Sequence, residues 1–278
     1  MKNIMRILVI NIFCFVLLFA FSGCKTKPVH SPDPSALLVF KSIEAPDIYK
    51  TTLFYDISVK QPGVNKTNYI IEEWTTVING IKTNNGVNFS SDVSAGEIRL
   101  EFDIPALAEE GLPLYDDFTV DLFLDIVVQA KETKMIHANA KALFPYIREP
   151  VFSITEIAIL KADLVNTRFR VAIKIDNLNP FPVDLSSVEY TLYGNNLLWA
   201  EGKESSGIHV PPKNTYRGNL FLIMNFINMK RDLLDQIIRL EDVNYRFTGK
   251  AVVSAEIDYL PKFHTDFNLA GYSKVLER

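Results

Sequence analysis

The chain has 278 residues, of which 48% are hydrophobic and 22% charged, a balance typical of folded globular proteins and unlike that of disordered chains. Its formal net charge is −4, and residues 37–148 contain 10 Lys and Arg against 16 Asp and Glu. Such an acidic surface excludes nucleic acid as an expected partner, because binding to phosphates requires clustered basic residues.

Residues 1–23 have the pattern of a bacterial secretory signal peptide. A basic start is followed by an apolar run over residues 7–21 and then by Gly23 and Cys24. Small residues before a cysteine at this distance are typical of a lipobox, so we expect cleavage before Cys24 and attachment of lipid to Cys24. The alternatives are a signal for soluble secretion and an uncleaved anchor. The lipid on Cys24 makes the membrane an expected partner and places the protein in the cell envelope, periplasmic or surface-facing.

Residues 24–36 predict an extended tether. Three prolines at positions 28, 32 and 34 alternate with serine and charged residues, and nothing there indicates a hydrophobic core. A Pro-rich segment of this kind spans about 3 Å per residue. We therefore expect the folded part of the chain to begin at residue 37, at some distance from the membrane.

Residues 37–148 and 149–278 predict two similar domains. Their strands alternate apolar and polar residues, and the apolar positions match between the halves at offsets of 116, 120 and 127 residues. The first offset aligns Leu53 with Phe169, the second aligns Ile98 with Gly218, and the third aligns His137 with His264. The first half is thus interpreted as a divergent copy of the second.

Each half also contains one predicted helix. In the second half, apolar residues recur at helical spacing between Asn225 and Leu240, whereas the first half has only the short segment 105–110. Strands with period two and one short helix per domain predict an all-β fold of two tandem sandwiches, similar to immunoglobulin or fibronectin domains.

A distinctive bend follows the strand at residues 168–176. The segment Asn177-Leu178-Asn179-Pro180-Phe181-Pro182 contains two prolines, which lack backbone donors and bias the preceding residue toward extended geometry. We expect an ordered bend that leaves the sheet, with Phe181 packed inward and with Asn177, Asn179, Pro180, Phe181 and Pro182 in a structural role.

This bend resembles the NPNPFP signature of type 2 late embryogenesis abundant proteins, also called the WHy domain. The following strand at 190–193, the turn at 194–196, Gly202 and the segment 210–212 are similar to later parts of the family pattern. The resemblance covers residues 150–272, and it departs from the pattern at Leu178 and after Pro211. The first half has only Gln61-Pro62-Gly63 at the position of the signature. The resemblance implies protection under water or osmotic stress, and it supplies no catalytic residues.

No catalytic or metal site is expected, and no cofactor. The four histidines, His30, His137, His209 and His264, are far apart in sequence and no cysteine joins them, so no zinc pattern arises. The acidic pairs at 72–73, 109–110, 116–117 and 241–242 are interpreted as solvated turns and strand edges, because adjacent carboxylates on a strand point to opposite faces.

The sequence therefore predicts a non-enzymatic, membrane-anchored envelope lipoprotein with a protective role. One alternative is a binding or adaptor module for another envelope protein, an argument by analogy with the many roles of sandwich folds. A second alternative is a carrier of lipid or another apolar ligand, which would need an interior cavity.

Overall fold

A computed structural model describes residues 33–65, 67–129, 132–161, 166–225 and 242–277. The signal peptide, Cys24, His30 and most of the predicted tether lie outside the described residues. The predicted helix between Asn225 and Leu240 falls, apart from Asn225 itself, in a gap between them. The first strand begins at Ser35, two residues before the predicted start of the first domain.

The first half folds into eight strands and one short helix. The strands are β1 Ser35–Glu44, β2 Lys50–Lys60, β3 Asn68–Ile78, β4 Ile81–Lys82, β5 Val87–Asp92, β6 Glu97–Asp103, β7 Asp117–Gln129 and β8 Lys134–Pro145. The helix α1, Ile104–Glu109, confirms the short helix predicted at 105–110. Asp103 caps it, because its carboxylate accepts a 3.1 Å hydrogen bond from the Ala106 N–H.

The strands of the first half form two four-stranded sheets with one core between them. Their orders are β1-β2-β6-β5 and β4-β3-β7-β8, and every pairing is antiparallel. Inward residues of both sheets, such as Leu53, Tyr55, Leu100 and Leu122, are fully buried in the same cluster. The period-two alternation seen in the sequence is thus the alternation between this core and solvent.

The second half contains eight described strands. They are β9 Val151–Lys161, β10 Asn166–Asp176, β11 Val183–Gly194, β12 Leu197–Glu204, β13 Ile208–Val210, β14 Thr215–Asn225, β15 Asp242–Ala255 and β16 Phe263–Glu277. The all-β class predicted from the sequence is confirmed, with strands dominating both halves.

The strands of the second half join into a closed ring. The ladder order is β12-β14-β10-β9-β16-β15-β11, and β12 also pairs with β11, so the sheet returns to its start. The closure is narrow, since β12 and β14 share the single pair Glu201 and Ile223. The pairing of β16 with β9 is parallel, and β13 adds a short antiparallel ladder to β11. In the second half, therefore, the strands of the two predicted sandwich layers are paired with one another at the edges of the layers.

The two halves have matching ladders at most positions. His137 of β8 pairs with Asp125 of β7, and His264 of β16 pairs with Val252 of β15. The two members of the second pair each lie 127 residues after those of the first, as predicted. The predicted offset of 120 is wrong by two residues. Leu53 pairs with Leu100, whereas its counterpart Phe169 pairs with Leu222, so the ladders give 122. A shift of two keeps every side chain on its own face, which is why the alternation did not reveal it.

Aromatic rings lie over glycines inside the second domain. Gly202, Tyr190, Gly249 and Phe267 face one another in turn across β12, β11, β15 and β16. A Cβ atom added to Gly249 would overlap the Phe267 ring and the Glu189 carbonyl oxygen. The absent side chains therefore make room for the aromatic rings of the core.

Replacing Gly249 by alanine should destabilise the protein by about 2–3 kcal/mol, because both the ring and the backbone of β11 must move. The control is Gly63→Ala. No atom lies within 4 Å of the Cβ that alanine would add at Gly63. The expected cost is therefore only that of placing alanine at a φ of +80°, about 1 kcal/mol. Urea denaturation measures both. A Gly249→Ala protein as stable as the Gly63→Ala protein would contradict this account.

Candidate functional site

The bend between β10 and β11 is organised by two buried asparagines. Asn177 and Asn179 are 1% and 0% exposed. Asn177 Nδ2 lies 2.8 Å from the Phe181 carbonyl oxygen and 3.1 Å from those of Val210 and Pro211, so its two N–H donors serve three carbonyls. Its Oδ1 accepts 2.9 and 3.0 Å hydrogen bonds from the backbone N and Nδ2 of Asn179. The bend is thereby attached to the end of β13.

Asn179 connects this bend to the segment between the two domains. The Asn179 Nδ2 donates a 2.9 Å hydrogen bond to the Arg148 carbonyl, and the Arg148 N–H donates a 2.7 Å hydrogen bond to the Asn179 Oδ1. The Asn179 carbonyl accepts a 3.0 Å bond from the Lys213 N–H. One side chain therefore pairs with both backbone groups of Arg148, as a neighbouring strand would.

A charged cluster surrounds these contacts. Asp116 accepts hydrogen bonds of 2.6 Å from Lys213 Nζ and 2.8 Å from Arg148 Nη1. Lys213 and then Arg148 hold the pKa of the Asp116 carboxyl below its ordinary value. Lys213 Nζ also donates to the Leu178 carbonyl at 2.6 Å, and Arg148 lies 4.7 Å from the centre of the Tyr146 ring. Asp116, Arg148 and Lys213 together are called the junction cluster below.

A second set of contacts joins the domains beside the junction cluster. The Tyr49 hydroxyl and the Thr265 hydroxyl both donate to Glu149. The hydrogen bond to Glu149, with some burial, raises the pKa of Tyr49 to about 12. Ala45 and Ile48, from the loop between β1 and β2, are buried in the core of the second domain. The join between the domains is therefore packed as well as hydrogen-bonded.

The hydrogen bonds of this arrangement hold backbone groups of the bend and of the join in place. Both asparagine amides are occupied by backbone partners and by each other, and the Asp116 carboxylate is bound by both Lys213 and Arg148. The geometry fits the structural role expected for the signature residues.

The three histidines within the described residues each lie at a separate place in the fold. His137 Nδ1 lies 2.7 Å from Asp125 Oδ1 in the first domain, and His209 Nδ1 lies 2.7 Å from Asp184 Oδ1 in the second. His264 lies exposed on β16. Within the described ranges, no group of three histidine, cysteine or acidic side chains is arranged to hold a metal ion.

An open cleft of about 800 Å³ lies on the outer surface of the second domain. Across it run Lys203, Glu189, Lys250 and Asp266, one from each of four neighbouring strands, with alternating charge. Lys203 donates a 2.7 Å hydrogen bond to Glu189 and lowers the pKa of that carboxyl. Opposite charges facing each other across strands stabilise a sheet. The sequence analysis missed this row because its members lie on four separate strands.

The sequence analysis also missed the junction cluster. It interpreted the acidic pair 116–117 as a solvated turn, whereas Asp116 binds two cations from distant segments. Arg148 immediately before the join of the domains, and Lys213 directly after the proline pair at 211–212, were the available signals. Neither indicates its partner without the fold.

Residues 172–257, just under a third of the chain, match the sequence family described as late embryogenesis abundant protein, LEA_2. The resemblance stated from the signature is thus confirmed over these residues of the second domain. No curated protein in the comparison matches the chain. Within the described residues, no helix has the length and apolar character needed to cross a membrane.

Three solved structures are similar to parts of the chain. A protein from Archaeoglobus fulgidus is 18% identical with a TM-score of 0.31, covering 46% of this chain and 97% of its own. A protein from Arabidopsis thaliana is 14% identical with a TM-score of 0.35, covering 48% and 86%. A protocadherin gammaB7 fragment is 12% identical with a TM-score of 0.30, covering 88% and 51%. With TM-scores below 0.5, none of the three assigns a fold or a function to this chain.

Replacing Asn179 by alanine should lower the free energy of unfolding by about 2–3 kcal/mol, because both backbone groups of Arg148 lose their partner in a buried position. The matched control is Leu178→Ala, whose side chain is 46% exposed and whose loss should cost less than about 0.5 kcal/mol. Urea denaturation followed by tryptophan fluorescence compares the two. Equal midpoints for both variants would show that Asn179 does not hold the join.

Proposed function

We propose that this protein is a membrane-anchored, non-enzymatic lipoprotein of a bacterial envelope that protects neighbouring proteins under water or osmotic stress. The observation that carries the protective part of the proposal is the family match over residues 172–257, since resemblance to that family implies a stress-related and generally non-enzymatic protein. The acidic composition and the extensive packed cores favour a soluble, stable surface of the kind that a protective protein needs.

The proposed anchor is lipid on Cys24. The apolar run at 7–21 and the following Gly23 and Cys24 support it. Several acyl chains at about 0.8 kcal/mol per buried CH₂ would hold the protein at the membrane permanently. The protective surface would then remain at the envelope when water is lost.

The carrier alternative is less well supported. In the second domain, the ring interior contains Phe152, Phe169, Trp199, Phe247 and Phe267, all nearly fully buried and stacked on one another. An apolar ligand would have to displace this packing. The adaptor alternative is favoured by one strand edge of the first domain that has no paired strand among the described residues.

The anchor is tested by growing the bacterium with labelled palmitate. The wild-type protein should incorporate label, and Cys24→Ser should lose all of it and leave the membrane fraction. Cys14→Ser is the matched control, because that cysteine lies within the predicted signal peptide and should not affect labelling. Label retained by Cys24→Ser, or missing from the wild type, would refute lipid attachment at Cys24.

The protective role is tested by drying a labile enzyme with purified residues 25–278. We expect greater recovery of activity on rehydration than with an equal mass of an unrelated β-sandwich protein of similar net charge. The comparison is made over a range of mass ratios. Equal recovery with both proteins at every ratio would remove the protective role and leave the anchor untouched.

A further inference from the structure

The second domain contains a short strand with no counterpart at the same place among the described residues of the first domain. β13, Ile208–Val210, pairs antiparallel with Val183–Leu185 at the start of β11. Ile208 and Val210 are 5% and 0% exposed, so this tripeptide closes the core at that edge. β11 thus has partners on both sides along this stretch.

The matching edge in the first domain is Tyr69–Ile71, at the start of β3. The equivalence follows from the ladders, since Ile71 pairs with Ile126 and Leu185 pairs with Val253, and a one-residue bulge comes next in both strands. The strand corresponding to β13 is β5, which pairs with β6 instead. Among the described residues, no strand pairs with this second edge of β3 at 69–71.

The contacts along β3 end before this edge is reached. β4 pairs only with Val77 and Ile78. The side chain of Asn84 then acts as a short continuation, accepting a 3.0 Å bond from the Thr76 N–H and donating a 3.2 Å bond to the Trp74 carbonyl. A bulge normally protects an edge strand. In the second domain, however, a bulge at the same position coexists with a paired strand.

The side chains at the β3 edge indicate what would bind there. On the outer face, Ile70 continues into a row with Val127 and Met135, and Ile70 and Met135 are 48% and 55% exposed. On the inner face, Tyr69 and Ile71 are only half-buried, whereas their counterparts Val183 and Leu185 are fully buried. An apolar extended segment would cover both faces.

The next residues of β3 are acidic. Glu72 and Glu73 are exposed, and Glu73 faces Asp125 across the ladder. Consider a bound segment that runs antiparallel to β3 and places three apolar residues opposite 69–71. The residues of that segment that face Glu72 and Glu73 then come just before the three apolar ones in its sequence. Basic residues at that position would complement the charge.

We propose that the β3 edge at Tyr69–Ile71 binds an extended segment of a partner protein, in which Lys or Arg residues precede three apolar residues. The segment adds an antiparallel strand to the sheet, in the place that β13 occupies in the second domain. The main-chain hydrogen bonds supply affinity, and the carboxylates at 72 and 73 supply direction and selectivity.

The test uses the full chain in lipid nanodiscs and a fluorescent peptide of sequence Lys-Lys-Ile-Val-Ile with capped ends. We expect saturable binding by fluorescence anisotropy and slower backbone hydrogen exchange at 68–73. A peptide with proline in place of the first isoleucine has the same charge and should not bind, because the N–H of that residue would face β3 and proline has none. The double variant Glu72→Lys and Glu73→Lys should weaken binding about tenfold. The control is Glu109→Lys and Glu110→Lys, an exposed acidic pair at the end of α1 with the same charge change, and it should bind as the wild type does.

Three results would overturn the proposal. The first is equal binding of the original and the proline-containing peptides, which would indicate attraction by charge alone. The second is protection of amides elsewhere than 68–73. The third is protection of 68–73 that rises with protein concentration in the absence of peptide, which would assign the edge to a second copy of the chain.

Discussion

The arrangement of the two domains depends on the buried side chain of Asn179. Its amide satisfies both backbone groups of Arg148, and its own carbonyl accepts from Lys213. The two prolines that follow lack donors, so the bend cannot continue as a paired strand. Buried carbonyl and N–H groups still require partners, since an unpaired one costs about 1–3 kcal/mol. Asn177 and Asn179 supply those partners from their side chains, and the chain can turn and receive the first domain at the same point.

The local part of this design was predictable from the sequence. The alternation of apolar residues placed the inward faces of the strands correctly, and the short segment 105–110 indicated the helix that α1 confirms. The signature bend was predictable because its cause, the two prolines and the two asparagines, lies within six residues. Such features depend on neighbours in the chain, which a sequence shows directly.

The non-local part was not predictable. A register difference of two residues between β6 and β14 leaves every side chain on its own face, so no pattern of polarity reports it. Lys213 and Asp116 are 97 residues apart, and Asp116 gives the same sequence signal as any solvated aspartate. The closure of the second domain rests on the single pair Glu201 and Ile223, and on a parallel pairing of β16 with β9. These contacts follow from how the sheets curl, a property of the whole domain.

The difference between the two domains separates the two proposed roles. The second domain closes its ring, and its outer cleft is lined by charges that offset one another, so its surface fits a general protective role. Among the described residues of the first domain, no strand pairs with the edge of β3 at 69–71, and an extended partner segment could add a strand there. Because the junction cluster and the Asn179 contacts join the domains firmly, the open edge would be held in a constant position relative to the ring. Protection would then depend on the stability of the second domain, and docking on the register of a single strand in the first.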